Sequence, residues 1–468
     1  MSTPLWIGLL LFHAIVFGYF TVLNTYYFVM SLVAFGQLRR YNQRVTVSDL
    51  GALGGIPPAT LIVPAYNEAK TCQEAIRSLL QLEYPEYEVL VVNDGSTDDT
   101  FEVLDAAYEL RAASRFPTAE IETAAVHSIH QSATHPNLWV ISKENGGRSD
   151  AINAGINYCR TPLFCAVDAD GLLEESALLR VVRPFLEDEK TVASGGIIRI
   201  VNGCTVRNGR VDDVRLPGGW LGRFQVVEYL RSFLAGRVGW DALRIMFLVS
   251  GAFGMFRRDV VVRLGGLDPT SIGEDLELTV RLHRYCREQE RPYRVAFVPD
   301  PVAWTEAPST LRSLGKQRDR WQRGLMDTMM LHRDMLFNPR YGRIGMIAYP
   351  YFFFLEMLGP LVELTGYLVF ALLLALGMVE LSVAIAFLLV SVVVGTILSV
   401  LSVGLEEISF RRYDRFSDFL RLLSLALIEN IGYRQLQTYF RCRGMWSYLT
   451  GKTGWGSMER QGFSNSAS

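Results

Sequence analysis

Two long runs without charged side chains constrain this chain more than any other feature of its sequence. No Asp, Glu, Lys or Arg occurs before Arg39, and the run from Leu5 to Phe35 is 31 residues long. As a helix it would reach about 46 Å, enough to cross a hydrocarbon core of about 30 Å with tilt. A signal peptide has a positive start, then a short apolar core, then a cleavage site with small residues, and this run does not show that order. We therefore predict an N-terminal transmembrane helix.

A second apolar block lies in the last third of the chain. Ile344 to Leu376 is apolar but interrupted by Glu356, Pro360 and Glu363, which predicts an interfacial helix that runs into a span. Leu381 to Leu405 carries no charge over 25 residues and predicts a complete span. The block therefore predicts at least two further membrane segments.

Clusters of arginine set the orientation that we predict for these helices. Basic residues follow the first run at Arg39–Arg44 and the last complete span at Arg411–Arg415. The positive-inside rule places both clusters in the cytosol, so the protein is expected to be a multi-pass protein of the plasma (inner) membrane. The stretch Phe419–Phe440 is interrupted by charges, so three spans are predicted and a fourth stays open.

Composition excludes several other classes of protein. The chain has 46 Lys and Arg against 48 Asp and Glu, a balance that argues against a nucleic-acid binder with a basic face. It has no repeats or low-complexity tracts, which excludes a solenoid or a disordered scaffold. None of its 6 cysteines forms a CxxC pair, which indicates buried thiols in a reduced, cytosolic compartment.

Between the membrane blocks the pattern changes to short strands that alternate with helices. The four clearest strands are Thr60–Val63, Glu88–Asn93, Trp139–Ser142 and Leu163–Val167. Such alternation predicts an α/β fold with a mostly parallel sheet, which binds ligands at the carboxyl ends of its strands. The chain is thus divided into an N-terminal transmembrane helix, a linker, a cytosolic domain, a C-terminal membrane region with interfacial and transmembrane helices, and a tail, at 1–38, 39–55, 56–337, 338–443 and 444–468.

A polar motif follows each of these four strands. The motifs are Ala65–Glu68 (AYNE), Asn93–Asp98 (NDGSTD), Lys143–Asp150 (KENGGRSD) and Asp168–Asp170 (DAD). Each alone is explained as a turn, loop or helix cap, but four at successive strand ends favour a binding site. Paired carboxylates such as those of Asp168 and Asp170 bind Mg²⁺ when substrate phosphates complete its ligands. Asp94 is placed to accept hydrogen bonds from a nucleoside.

Two further motifs supply a base and a cation. Gly273–Asp275 (GED) opens a helix and puts a carboxylate in its first turn, where N-capping is the alternative explanation. Farther on, Gln317, Arg320 and Trp321 fall at i, i+3 and i+4, on one face of a helix. An amide, a guanidinium and an indole suit a phosphate contact beside a sugar-stacking surface. The alternative is a Trp packed under a membrane-proximal helix.

Together VPAYNE, NDGSTD, DAD, GED and QRDRW resemble family 2 glycosyltransferases. More narrowly, the chain resembles the membrane-embedded synthases of cellulose, chitin, hyaluronan and poly-N-acetylglucosamine. The resemblance covers the whole segment between the membrane blocks. It implies a GT-A fold, an inverting transfer from a UDP-sugar, and dependence on Mg²⁺ or Mn²⁺.

The resemblance also implies a role for each matching residue. Asp275 would be the general base and Asp170 the metal ligand. The residues that would bind the nucleotide are Tyr66, Glu68, Asp94, Arg148, Asp150 and Asp168. The residues that would bind the diphosphate and the acceptor are Gln317, Arg320 and Trp321.

The chain departs from the family pattern in three places. Gly273 stands where Thr is common, and Arg148 stands where the family often has Lys, a cation of different geometry. Neither departure removes a required group. The segment Val249–Met255 lies where the synthases place an acceptor-facing loop but matches the cellulose-type pattern poorly, which lowers cellulose as the product.

Three functions are compared on this basis. The first is a processive synthase that extends a β-linked polysaccharide and exports it through its own helices. The second is a single transfer to a membrane lipid, which stays open because few spans make a self-contained channel harder to build. The third is a non-catalytic subunit, which the intact Asp170, Asp275 and Arg320 speak against. Expected partners are a UDP-sugar, a polysaccharide or lipid acceptor, the bilayer and an accessory membrane or export subunit, with no nucleic acid.

Overall fold

The computed structural model describes residues 3–41, 55–413 and 415–452. They form two compact units. The sheet unit comprises the described residues of Tyr41–Pro217 and Met246–Ala307. The helical unit comprises Gly218–Ile245 and the described residues of Met1–Arg40 and Pro308–Ser457. Most of the predicted linker and of the predicted tail lies outside the described residues, and the predicted domain boundaries stay a prediction.

The sheet unit is built on a ten-stranded sheet and a separate two-stranded hairpin. Its strands are β1 Ala59–Ala65, β2 Tyr87–Asp94, β3 Leu110–Ala112, β4 Val126–Ser132, β5 Leu138–Lys143, β6 Leu163–Val167, β7 Leu172–Leu173, β8 Thr191–Ile200, β9 Thr205–Arg207, β10 Arg210–Asp213, β11 Phe253–Arg257 and β12 Arg294–Thr305. The large sheet has the order β3-β4-β5-β2-β1-β6-β11-β8-β12-β7, and β9 pairs with β10.

Four neighbouring strands at the centre of the large sheet are parallel. β1 pairs with β2 and β6, and β2 pairs with β5, all in parallel. On either side, β4 and β11 run antiparallel to β5 and β6. The parallel sheet predicted from the sequence is therefore confirmed at the centre, while the flanks make the sheet mixed. β1 and β6 are buried almost throughout, as expected for parallel strands covered on both faces.

Helices connect the strands and build the other unit. In chain order they are α1 Thr3–Tyr41, α2 Cys72–Leu80, α3 Thr100–Tyr108, α4 Arg148–Tyr158, α5 Ala177–Glu187, α6 Trp220–Leu230, α7 Val238–Ala242, α8 Arg258–Arg263, α9 Glu274–Glu288, α10 Leu311–Leu331, α11 Gly359–Ala375, α12 Leu381–Leu388, α13 Val394–Ser409, α14 Phe416–Ile428 and α15 Tyr433–Leu449. Short π-helical segments extend or join them at Arg231–Arg237, Ile344–Ala348, Tyr351–Met357 and Leu389–Val393. Single 3₁₀ turns lie at Arg333–Met335 and Pro339–Tyr341.

The crossover helix α4 lies close to the central strand β1 because Gly155 has no side chain. A Cβ atom at Gly155 would come within 2.3 Å of Ile62 Cγ2. We expect Gly155→Val to destabilise the protein by up to about 3 kcal/mol, since overpacking forces side chains off their rotamers. Ile62→Ala removes three carbon atoms, as many as Gly155→Val introduces. The unfolding temperature of the double variant should therefore fall by less than the sum of the drops in the two single variants. Thermal unfolding of the purified full chain in detergent measures this, and strictly additive losses would contradict the contact.

Among the described residues, three helical segments are long and apolar enough to cross a membrane. They are Leu11–Tyr41, Ile344–Ala375 and Leu381–Ser409. They coincide with the three spans predicted from the sequence. The fourth candidate, Phe419–Phe440, falls instead on two helices, α14 and α15, which are interrupted between Ile428 and Tyr433.

The glutamates that interrupt the second apolar block are paired inside the helical unit. Glu363 is 7% exposed and accepts hydrogen bonds from Tyr19 Oη at 3.0 Å and Arg434 Nη2 at 2.9 Å. Glu356 pairs with Arg441 at 3.0 Å. A buried carboxylate among apolar helices requires such partners, because an unpaired charge there is costly. The pairs explain how one helical segment can be long, apolar and yet carry two acidic residues.

Candidate active site

Four of the predicted motifs lie at one edge of the sheet. The strands β5, β2, β1 and β6 are neighbours and parallel, so their carboxyl ends meet. The register pairs Ala65 with Asn93 and Asp94 with Lys143 at these ends. In a parallel sheet this edge is where ligands bind.

A buried lysine organises the second and third of these motifs. Lys143, the last residue of β5, has a fully buried side chain, with Nζ 2.6 Å from Asp94 Oδ1 and 2.5 Å from Asp150 Oδ1. Asp94 also accepts hydrogen bonds from the backbone N–H groups of Gly146 at 3.0 Å and Gly147 at 2.8 Å. Both aspartates were predicted to bind nucleotide, and here both carboxylates shape the glycine loop. Lys143 was not among the predicted site residues, although its place at a strand end is a signal.

The glycine loop depends on its missing side chains. A Cβ atom at Gly146 would lie 2.5 Å from Asp150 Cγ, and Gly147 has φ +89°, in the left-handed region that favours glycine. The loop can therefore wrap its N–H groups around Asp94 and leads directly into α4.

The first two motifs brace one another across neighbouring strand ends. The N–H of Asn67 donates to Ser96 Oγ at 3.0 Å, and the side chain of Asn67 accepts from the N–H of Thr97 at 2.8 Å. Glu68 accepts a hydrogen bond from the side chain of Thr71 at 2.6 Å. Tyr66 stays 50% exposed at this edge, so its ring is accessible to a ligand.

Arg148, the first residue of α4, joins three separated parts of the chain. Its Nη2 donates to Asp168 Oδ1 at 2.8 Å and to the carbonyl oxygen of Gly251 at 2.6 Å. Its Nη1 donates to Glu274 Oε1 at 2.5 Å. Burial by itself lowers the pKa of Arg148, but the carboxylates of Asp168 and Glu274 outweigh it and hold the pKa above the ordinary value. Glu274, another residue that the sequence analysis did not single out, is thus part of the site.

Asp275 lies in the first turn of α9. Its Oδ2 accepts the backbone N–H of Gly251 at 2.9 Å, and its Oδ1 accepts that of Leu276 at 2.8 Å. The N-cap position is Gly273, so Asp275 does not occupy the cap. Its side chain is half-buried. A carboxylate that is held by two backbone N–H groups and is still partly open suits proton transfer.

The DAD motif follows β6 at the same edge. Asp170 is 1% exposed, and the side chain of Asp168 is 30% exposed. Within the described ranges, no group of three or more His, Cys, Asp and Glu is placed to hold a metal ion by itself. One or two carboxylates are the protein ligands that Mg²⁺ uses when substrate phosphates supply the others. The residues therefore fit a divalent ion that binds together with a diphosphate.

The QRDRW motif lies on α10 in the helical unit. Trp321 is 46% exposed, and the guanidinium carbon of Arg318 lies 4.2 Å from the centroid of its ring. Arg318 also pairs with Glu228 at 2.9 Å. Gln317 is 8% exposed, and among the described residues its buried Oε1 has no hydrogen-bond donor. Sequence periodicity predicted the helix but missed Arg318, the cation that stacks on the indole.

A mixed α/β sheet whose parallel strands end in these acidic motifs has the architecture of the GT-A class, with the ligand edge at the strand ends. The model of the family "Glycosyltransferase like family 2" matches residues 57–324, more than half of the chain. The chain belongs to this family and is a glycosyltransferase, and the family resemblance predicted from its motifs is confirmed.

Similar proteins agree with this assignment. Poly-beta-1,6-N-acetyl-D-glucosamine synthase of Staphylococcus epidermidis is 26% identical over 316 residues, which cover 67% of this chain and 64% of the relative. The protein of the same name from Staphylococcus aureus (strain COL) is 25% identical over 315 residues, with the same coverage. The chain thus matches less than two thirds of the length of these relatives.

A solved structure shares the fold. A mannosyltransferase from Pyrobaculum calidifontis, in complex with GDP-Man and Mn²⁺, has a TM-score of 0.53 at 18% identity. The match covers 90% of this chain and 99% of that chain. The likeness confirms the predicted GT-A architecture.

Proposed function

We propose that this glycosyltransferase transfers N-acetylglucosamine from a UDP-sugar to a growing β-linked polysaccharide with inversion at the anomeric carbon. The observation that carries the proposal is Asp275, a carboxylate oriented by the Gly251 N–H beside the Arg148–Asp168 pair. The names of the staphylococcal relatives support the choice of sugar and polymer.

In this mechanism Asp275 is the general base. It takes the proton from the acceptor hydroxyl, while the hydroxyl oxygen attacks the anomeric carbon from the face opposite the diphosphate. The bond between the anomeric carbon and the diphosphate oxygen breaks, UDP leaves, and the configuration inverts. Because Asp275 is half-buried rather than enclosed, the proton can return from it to solvent.

The donor is proposed to lie along the edge formed by the strand ends. Tyr66, Glu68 and the loop held by Asp94 and Asp150 would contact the nucleotide. Asp170, with Asp168, would hold Mg²⁺ or Mn²⁺ against the diphosphate. When bound, the ion neutralises the charge that develops on the leaving group.

The acceptor is proposed to bind at the QRDRW motif. The exposed indole of Trp321 offers a stacking surface for a sugar ring, and the buried Oε1 of Gln317 offers an acceptor for a hydroxyl. Arg320 would contact the diphosphate.

The three apolar helices support a location in the membrane, with the sheet unit proposed to face the cytosol and the polymer exported across the bilayer. An accessory export subunit remains part of this proposal. A single transfer to a lipid acceptor is the second candidate, favoured because the three candidate spans of the described residues offer little material for a channel.

Product size tests the proposal. The full chain in lipid nanodiscs would receive Mn²⁺ and labelled UDP-N-acetylglucosamine or, separately, labelled UDP-glucose, and products would be separated by size and by lipid extraction. We expect a high-mass polymer from UDP-N-acetylglucosamine. Label confined to a small, solvent-extractable species would overturn polymer synthesis in favour of the lipid acceptor. Polymer from UDP-glucose alone would overturn the proposed sugar.

A further inference from the structure

We infer that Arg148 is a positioning residue that orients the base Asp275 through Gly251, rather than a residue that binds phosphate. The inference rests on the proposed role of Asp275 and replaces the nucleotide contact that the motif position predicts for Arg148. It assigns a task to Glu274 and to the loop before β11 as well.

First, the guanidinium of Arg148 donates hydrogen bonds to oxygen atoms of the protein. Its Nε and Nη2 donate to Asp168 at 3.2 Å and 2.8 Å, its Nη1 donates to Glu274 at 2.5 Å, and Nη2 also donates to Gly251. All three nitrogens thus donate to protein oxygens, and the side chain is 17% exposed. Four of its five N–H groups are used in this way, so a phosphate that bound the fork in bidentate fashion would have to displace a charge-assisted hydrogen bond that is already formed.

The second step is the connection to the base. The carbonyl oxygen of Gly251 accepts from Arg148 at 2.6 Å, while its N–H donates to Asp275 Oδ2 at 2.9 Å. Gly251 therefore connects the guanidinium of Arg148 to the carboxylate of Asp275 through its two backbone groups. The base oxygen is placed by a backbone group whose own position depends on the guanidinium.

The third step is the start of α9. Glu274 directly precedes Asp275, and its side chain is 8% exposed against Arg148. Pairing with Arg148 orients the first turn of the helix that carries the base. Arg148 thus acts on Asp275 from two sides, along the helix through Glu274 and across the loop through Gly251.

The packing at Gly251 allows this arrangement. A Cβ atom there would lie 3.3 Å from Nη1 and Nη2 of Arg148 and 3.3 Å from Cβ of Asp275. The contact is tight enough that an added methyl group would have to push the cation and the base apart. The planar fork of Arg reaches three acceptors in different directions, which the single nitrogen of Lys cannot do with the same geometry.

Arg148→Lys tests the inference because it keeps the positive charge and removes the fork. With the full chain in nanodiscs, turnover of UDP-N-acetylglucosamine and the Kd of UDP with Mn²⁺ would be measured. We expect kcat to fall by about 10- to 100-fold while KM and Kd change by less than about threefold, the pattern of a lost transition-state contribution. A Kd that rises by about tenfold or more with kcat retained, or no change in either, would overturn the positioning role.

Two variants distinguish a positioning role from a loss of activity that is caused by lower stability. Arg115→Lys is the matched control, because Arg115 is a 1% exposed guanidinium paired with Glu88 at 2.7 Å in the same unit. We expect Arg115→Lys to lower the unfolding temperature about as much as Arg148→Lys does, while its kcat stays within about twofold of the parent. If Arg148→Lys does not fold, Gly251→Ala leaves every charged group in place and should show the same selective loss of kcat. Normal kcat in Gly251→Ala would overturn the inference.

The base assignment is tested separately. If Asp275→Asn is active, the proposed function is wrong. If Asp275→Asn is inactive while Arg148→Lys is fully active, only the positioning role of Arg148 is wrong.

Discussion

Asp275→Asn is expected to lower sugar transfer by about 10²–10⁴-fold, the contribution of a general base, with UDP affinity within about twofold of the parent. The amide has the size of the carboxylate, and its oxygen can still accept the Gly251 N–H, so the geometry of the loop is kept. What is lost is the ability to accept a proton. Initial rates of UDP release and calorimetric binding of UDP with Mn²⁺ measure the two quantities on the same preparation.

Asp259→Asn provides the control for this substitution. Asp259 lies in α8 of the same unit with a 49% exposed side chain, and it pairs with Arg291 at 3.7 Å. Its turnover should stay within about twofold of the parent, because surface changes of this kind have small effects. Transfer by Asp275→Asn within about tenfold of the parent, or an equal loss of binding and turnover, would contradict the role of Asp275 as base.

Asp170→Ala is expected to remove metal-dependent nucleotide binding. Asp170 is almost fully buried after the end of β6, and in the proposed site its carboxylate would hold the divalent ion against the diphosphate. We expect UDP to bind at least about tenfold more weakly with Mn²⁺ present, and turnover to fall by about 10²-fold or more, since a metal contributes several kcal/mol to such a transfer. Calorimetry and initial rates at saturating Mn²⁺ test both.

Removal of the metal is the internal control for Asp170→Ala. With EDTA the parent and the variant should bind UDP with the same weak affinity, because the difference between them requires the ion. A parent whose UDP affinity is unchanged by EDTA would overturn metal-assisted binding. An Asp170→Ala variant that binds UDP normally with Mn²⁺ would overturn only the assignment of the ligand.

The elements that carry the site were readable from local patterns. Buried apolar runs such as Leu163–Val167 predicted strands, and the structure has β6 with the same bounds. The GED motif predicted the start of a helix, and α9 begins at Glu274. Periodicity and strand-end motifs depend on residues close in the sequence, so the chain order alone reveals them.

The partners of the site residues were not readable in this way. Arg148 contacts Gly251 and Glu274, more than 100 residues away, and their spacing in the sequence gives no sign of the contact. Val249–Met255 was expected as an acceptor-facing loop, and the structure turns its end into β11, between β6 and β8. Pairing between strands that are distant in the sequence depends on the packing of the whole sheet.

The sequence by itself determined the apolar spans, the alternating strands and helices, the family and the residue types at the strand ends. These follow from composition and short-range periodicity, because hydrophobic burial and backbone geometry act on each segment. Only the tertiary structure decided the antiparallel flanks of the sheet, the burial of Lys143 between two aspartates and the links from Arg148 to the base. Hydrogen bonds and ion pairs act over about 3 Å, so they depend on which distant segments the fold brings together.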